Sequence, residues 1–198
     1  MFVSHSSEGH AARRALTRGI ALAVALVLLQ SQPSAATDGR LGEYQIKAGY
    51  LYNFAKFVFW PAESFAGPTA AFTICVIGDD PFGPVLDTVV RGRLVGKRAL
   101  LVRRLTQLKE LDGCQILFVG STTSSAFDEI RERLKNASVL TVGESDWFTR
   151  GGGMIRFDVS EARVGFEINT SATTRAQLEI SSQLLKVATR VTTDRGTP

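Results

Sequence analysis

Few residues in this 198-residue chain have the types and spacing that chemistry requires. Both histidines, His5 and His10, fall within the first ten residues, and the two cysteines are Cys75 and Cys114. Beyond residue 10 no imidazole can serve as general base, proton shuttle or metal ligand. That removes Ser-His-Asp and Cys-His catalysis from the later chain. Two thiols without histidine cannot build a conventional zinc site either. Carboxylates are scattered: Asp128, Glu129 and Glu132 sit at helix spacing, while Asp146, Asp158, Glu161 and Glu167 spread over a later stretch. Nothing in the sequence sets two of them across a cleft, as glycoside hydrolysis needs. Ser182 and Lys186 stand one helical turn apart, a spacing too common to mark a nucleophile. The expectation is no enzyme activity, no catalytic residue, no cofactor and no metal.

Two glycine-rich stretches invite a phosphate reading and do not support it. Gly78–Gly83, reading G-D-D-P-F-G, lies between a strand and a helix, but it lacks the dinucleotide spacing, and Asp79 and Asp80 would repel an anion. It reads as a strand-ending turn with Asp80 capping the next helix. Gly151–Gly153 precedes a strand rather than a helix, so no helix N-terminus is offered to an anion. Three glycines there mark positive φ or close backbone approach. Arg91–Arg104 holds six basic residues (Arg91, Arg93, Lys97, Arg98, Arg103, Arg104) and no acid. Solvated strand ends explain it more simply than an anionic ligand or an acidic partner.

The elements that would position these residues follow from periodicity. Glu43–Trp60 reads as a helix, with Leu51, Phe54, Ala55 and Val58 on a buried face, and Pro61 ends it. Tyr44, Tyr50, Tyr52, Phe57, Phe59 and Trp60 ring most of its circumference, so it is either covered on several sides or partly exposed to a partner. Strands are expected at Phe72–Ile77, Arg98–Leu105, Cys114–Val119 and Val139–Val142. Between them lie helices at Pro84–Val90 and Ser124–Lys135 and a short crossover at Leu105–Leu111. Such near-continuous apolar runs separated by helices indicate an α/β fold, a mostly parallel sheet covered by helices on both faces. An antiparallel hairpin, Met154–Val159 with Arg163–Ile168, is expected at one edge. A closing helix is expected over Ser171–Val191, and a disordered tail over 192–198.

The first residues read as a leader. Arg13, Arg14 and Arg18 precede the apolar run Ile20–Leu29 and a Ser34-Ala35-Ala36 site, the pattern of a cleaved signal peptide over residues 1–36. Ten apolar residues span only about half of a ~30 Å hydrocarbon core. Residues 37–191 then form one domain. Without the leader, 20 basic residues face 18 acidic ones. No basic patch with interleaved aromatics suggests nucleic-acid binding, and no later run suggests membrane insertion. In an oxidising compartment Cys75 and Cys114 are expected to pair; the alternative is two free buried thiols. A bridge requires Cα atoms within about 7 Å, which makes the first and third strands neighbours. The order second–first–third–fourth strand follows.

One further set of residues resembles a known family. Leu140–Val142, Phe148, Gly152–Ile155, Phe157, Phe166–Asn169 (F-E-I-N) and Ile180–Leu185 (I-S-S-Q-L-L) match the pattern of YfiR-like periplasmic proteins. Tyr44–Pro61 looks like their opening helix, and the resemblance covers roughly Glu43 to Val191. It implies a periplasmic regulator that binds the periplasmic sensor region of an inner-membrane diguanylate cyclase and holds it inactive, with homodimerisation left open. The alternative is a periplasmic small-molecule binder feeding another membrane sensor, such as a histidine kinase. The resemblance supports the Cys75–Cys114 pair. Some members carry a second cysteine pair near the G-G-M loop, where this chain has Ser145 and Gly152. Exposed aromatic surface would carry partner contact, with Trp147 and Phe148 on the loop and Tyr50, Phe57 and Trp60 of the opening helix as candidates. The competing reading places Phe148 in the core as a plug.

Overall fold

The computed structural model describes residues 35–193 except Ala162. The expected signal peptide, apart from 35 and 36, and residues 194–198 of the expected tail lie outside the described residues. Of the described residues, those from 40 to 193 belong to one compact unit. Helix α1, Ala35–Phe57, leads into a two-residue strand β1, Val58–Phe59. Then follow β2 (Phe72–Ile77), α2 (Pro84–Val90), β3 (Leu94–Val95), β4 (Arg98–Leu105), β5 (Ile116–Val119), α3 (Ser124–Leu134) and β6 (Leu140–Gly143). The chain ends with β7 (Ile155–Ser160), β8 (Arg163–Asn169), α4 (Thr170–Arg175), β9 (Glu179–Ile180), α5 (Ser182–Val187) and β10 (Arg190–Thr192).

Eight strands form a mostly parallel sheet in the order β10-β8-β7-β6-β5-β2-β4-β3. The β4-β2-β5-β6 centre is parallel throughout, in the strand order expected from the cysteines. Alternation along each strand sorts the core in two. Ile74, Val76, Ile116 and Phe118 join one cluster with Leu51 and Phe54 of α1 and Leu86 of α2. Cys75, Leu117 and Val119 join the other, with Phe127, Ile130 and Leu134 of α3. The disulfide Cys75–Cys114 spans Cα atoms 5.8 Å apart and sits wholly inside the second cluster.

Four expectations need correction. The hairpin β7–β8 is antiparallel as expected, and β7 continues the sheet parallel to β6, but it is not the edge. Strand β10 adds parallel beyond β8, with Arg190 opposite Glu167 and Thr192 opposite Asn169, so Thr192, expected in the tail, is strand. The closing helix Ser171–Val191 does not form as one piece. Asn169 Oδ1 accepts from Ala172 N at 3.0 Å and starts α4, which ends at Arg175, two residues before Gln177, a left-handed residue at φ 57°. The chain then pairs Ile180 with Val58, and Ser181 Oγ caps α5 by accepting from Leu184 N. The physical reason lies in composition and burial. Three threonines and a serine in Thr170–Thr174 are weak helix formers, and the break buries both Leu178 and Leu184. Finally, Asp80 does not cap α2: its carboxylate accepts from Phe82 N and Gly83 N, closing the turn before the helix.

Candidate functional site

The loop between β6 and β7 is built around one ring. Phe148 is 1% exposed and packs on Phe127 with ring centroids 4.6 Å apart. A Cβ at Gly153 would stand 2.3 Å from the Phe148 ring, and one at Gly143 2.6 Å from it. The glycines therefore make room for the plug. Backbone bonds Phe148 N to Ser145 O, Gly151 N to Trp147 O and Gly153 N to Phe148 O hold the loop without a covalent clamp. Trp147 is half-buried, 5.7 Å from Phe127 between centroids.

Beside the loop an ion network reaches into the sheet. Glu167 on β8, 6% exposed, accepts from Arg156 Nε of β7 at 2.8 Å and from the Thr149 hydroxyl. Burial pushes this carboxyl up, but the Arg156 and Thr149 hydrogen bonds outweigh it and hold it below the usual carboxylate range. The Glu167 contact in turn raises the Arg156 guanidinium. Arg156 also donates to Asp146 at 2.8 Å, which ties the hairpin to the loop. Thr149, Arg150, Arg156, Glu167 and Arg190 line an open cleft of about 350 Å³.

The other end of the loop is tied to α1. Lys47 is 2% exposed, and its ammonium donates to Glu43 and, at 2.5 Å, to Glu144. Burial pushes Lys47 down, yet the bonds from Glu144 and Glu43 leave it above the usual lysine value. Tyr44 is raised by burial and by the Glu144 charge, and its hydroxyl donates to Glu144 at 3.2 Å.

The predicted partner residues do not form one patch. Tyr50 is half-buried among Phe54, Phe157 and Phe166, and its hydroxyl donates to Val164 O at 3.3 Å. Trp60 packs edge-on against Phe72, and its indole N–H donates to Gln115 O at 3.1 Å. Phe57 is half-buried, and all three rest against the first core cluster. Trp147 and Phe148 belong to the second. Phe148 is therefore core, as the plug reading had it, and presents no surface. The aromatic that stands out is Phe59, 55% exposed.

Sequence reasoning passed over Lys47 and named Glu167 only among scattered carboxylates. Lys47 shares the spacing of Leu51, Phe54, Ala55 and Val58, the signal of a charge on the buried face, with Glu43 one turn earlier. Glu167 lies between Phe166 and Ile168 in a run buried on every residue from Phe166 to Asn169. The crevice between the C-terminal ends of β2 and β5, where open parallel sheets take ligands, is closed by backbone. A Cβ at Gly120 would lie 2.1 Å from the Asp79 carbonyl oxygen.

The sequence from Tyr44 onward that builds α1, the sheet and this loop is also what relates the chain to others. Residues 44–189 match the YfiR/HmsC-like family, and the chain belongs to that family. A comparison with proteins of curated function gave no significant match.

Proposed function

We propose that the protein is exported to the periplasm through a cleaved signal peptide of residues 1–36. There it binds the periplasmic sensor region of an inner-membrane diguanylate cyclase and restrains cyclic-di-GMP synthesis. The observation that carries this reading is the family match across residues 44–189. YfiR-like proteins are periplasmic regulators rather than enzymes, so binding without turnover is the proposed activity. A sheet with helices on both faces belongs to this reading and is supported by the division of the core between α1 and α2 on the one hand and α3 on the other. Among the described residues no helix is long and apolar enough to cross a membrane. Trp147 is the loop residue proposed for partner contact. Aromatic and arginine side chains concentrate interface energy, and Asp146, next to Trp147 in the chain, is paired with Arg156.

The test is deletion of the gene with cyclic-di-GMP measured in cells, followed by complementation with the exported chain. Elevated cyclic-di-GMP that the wild-type gene lowers again is expected, together with direct binding to the cyclase's purified periplasmic domain. Unchanged levels on deletion, with no binding, would reject the reading. One observation favours a second reading, small-molecule sensing for another membrane sensor such as a histidine kinase. It is a cleft of about 430 Å³ between α3 and α4, lined by Arg131, Lys135, Thr141, Met154 and Arg175 among others. Repression that persists without any cyclase partner would favour that alternative.

A further inference from the structure

The basic segment Arg91–Arg104 folds into the β3–β4 hairpin at the end of the sheet, around Gly96 at φ 59°. Its register pairs Leu94 with Ala99 and Val95 with Arg98. Val95, Leu100 and Val102 turn to the first core cluster. Alternation sends Leu94, Ala99 and Leu101 to the opposite side of the sheet, the side on which α3 packs. The α3 cluster takes in Leu105 of β4 but not these three. Leu94 is 55% and Leu101 51% exposed, with Ala99 exposed between them.

The cations around this strip are nearly all without acids. Arg104 is the chief exception, bonded to Asp80 at 2.7 Å and to Asp87 at 2.6 Å, and Arg91 acts on Asp87 at longer range. Arg93 lies over the Tyr52 ring, and Arg98 lies over Phe65 while donating to the Gly67 and Ala70 carbonyls. Arg103 donates to the Asp112 and Glu110 carbonyls. Arg91 and Lys97 are exposed. Among the described residues, none of these five (Arg91, Arg93, Lys97, Arg98, Arg103) lies within ion-pair distance of a carboxylate. Carbonyl and ring contacts position a guanidinium without neutralising it, so the full charge acts on whatever approaches.

We propose that this face docks an acidic segment of a protein partner, whose apolar side chains cover Leu94 and Leu101 while its carboxylates meet Arg91, Lys97 and their neighbours. A second copy of the same face would set like charges against one another, which costs affinity. A flat anionic lipid surface needs leucines and cations in one plane. Here Arg93 and Arg98 lie toward the first cluster, Arg103 toward the leucines, and Arg91 and Lys97 at the hairpin's ends. A polypeptide can follow that edge; a bilayer cannot. The inference rests on the proposed regulatory function and gives it a surface and a partner chemistry.

The probe is the purified periplasmic domain of the cyclase, titrated with the exported protein at low and high salt. Two variants carry the test: Leu94→Asn with Leu101→Asn, and Arg91→Glu with Lys97→Glu. All four positions are exposed, and melting curves check that both variants fold. Each variant is expected to weaken binding at least tenfold, and the charge variant also to flatten the salt dependence, because screening acts on exposed pairs. Wild-type affinity in both variants would overturn the proposal and leave the regulatory reading standing. No binding by the wild-type protein overturns both together. Phosphatidylglycerol vesicles supply a control arm. If the variants lose vesicle binding while keeping domain affinity, the face belongs to lipid and the proposal falls.

Discussion

The Lys47 ammonium on α1 donates to the Glu144 carboxylate at 2.5 Å, joining the first helix to the residue that opens the β6–β7 loop, 97 positions later. Lys47→Met keeps the aliphatic stem and removes this tie. Because Glu144 and Glu43 are each more than a quarter exposed, water compensates them in part. The expected loss at neutral pH is therefore ~1–2 kcal/mol, the lower part of the range for charged hydrogen bonds. The pH sign is set by the raised lysine. Its contribution is complete below the ordinary lysine value and disappears as pH rises through the higher folded value. Denaturant titrations should show the wild-type advantage over Lys47→Met shrinking as pH rises into strong alkali. An unchanged gap there would contradict this.

Phe148 and Trp147 should separate cleanly. Phe148→Ala empties a fully buried ring site and should cost ~3–5 kcal/mol. Trp147→Ala removes a half-buried ring and should cost ~1–2 kcal/mol by area. If Trp147 meets the partner, its variant folds yet raises cyclic-di-GMP in cells. A folded variant with full repression would remove the loop from the partner surface.

Glu167 sets an acid limit. Its folded carboxyl is held below the ordinary range, so its stabilisation is complete above the unfolded carboxylate value and is lost as pH falls through the lowered one. Glu167→Gln should be less stable than wild type at neutral pH by ~1–3 kcal/mol. The two should converge in acid. Urea midpoints measured across acidic and neutral pH check this, and parallel curves would count against it.

The Cys75–Cys114 bridge should be present in protein taken from the periplasm, with alkylation detecting no thiol before reduction. Cys114→Ser should then lower stability by ~2–5 kcal/mol, the usual result of removing a native bridge from a small secreted domain. Thermal melts with and without reductant measure it.

Much of this fold was legible because its strands are buried on both sides. Phe72–Ile77 is apolar but for Thr73 and Ile116–Val119 is apolar throughout, and the two cysteines added a distance constraint that placed β2 beside β5. Helix α3 was equally plain, with Phe127, Ile130 and Leu134 buried at helical spacing. The C-terminal third was less so. Leu184, Leu185, Ala188 and Val191 satisfy helical periodicity, yet Ile180 pairs with Val58 across the fold and Thr189 N donates to Phe166 O. Those partners are remote in sequence, and periodicity carries no record of them. The same applies to the site. Trp147 and Phe148 advertise themselves by type, whereas Glu167 acquires its role only when the hairpin register sets Arg156 opposite it.

The strands at the two ends of the sheet are its shortest. β3 has two residues and β10 three, so neither margin offers a long row of unpaired main-chain donors and acceptors. Natural sheets use such abbreviated margins to discourage edge-to-edge growth into fibres. Extending β10 or straightening the β3 turn at Gly96 should therefore raise the tendency to aggregate before it alters the melting temperature.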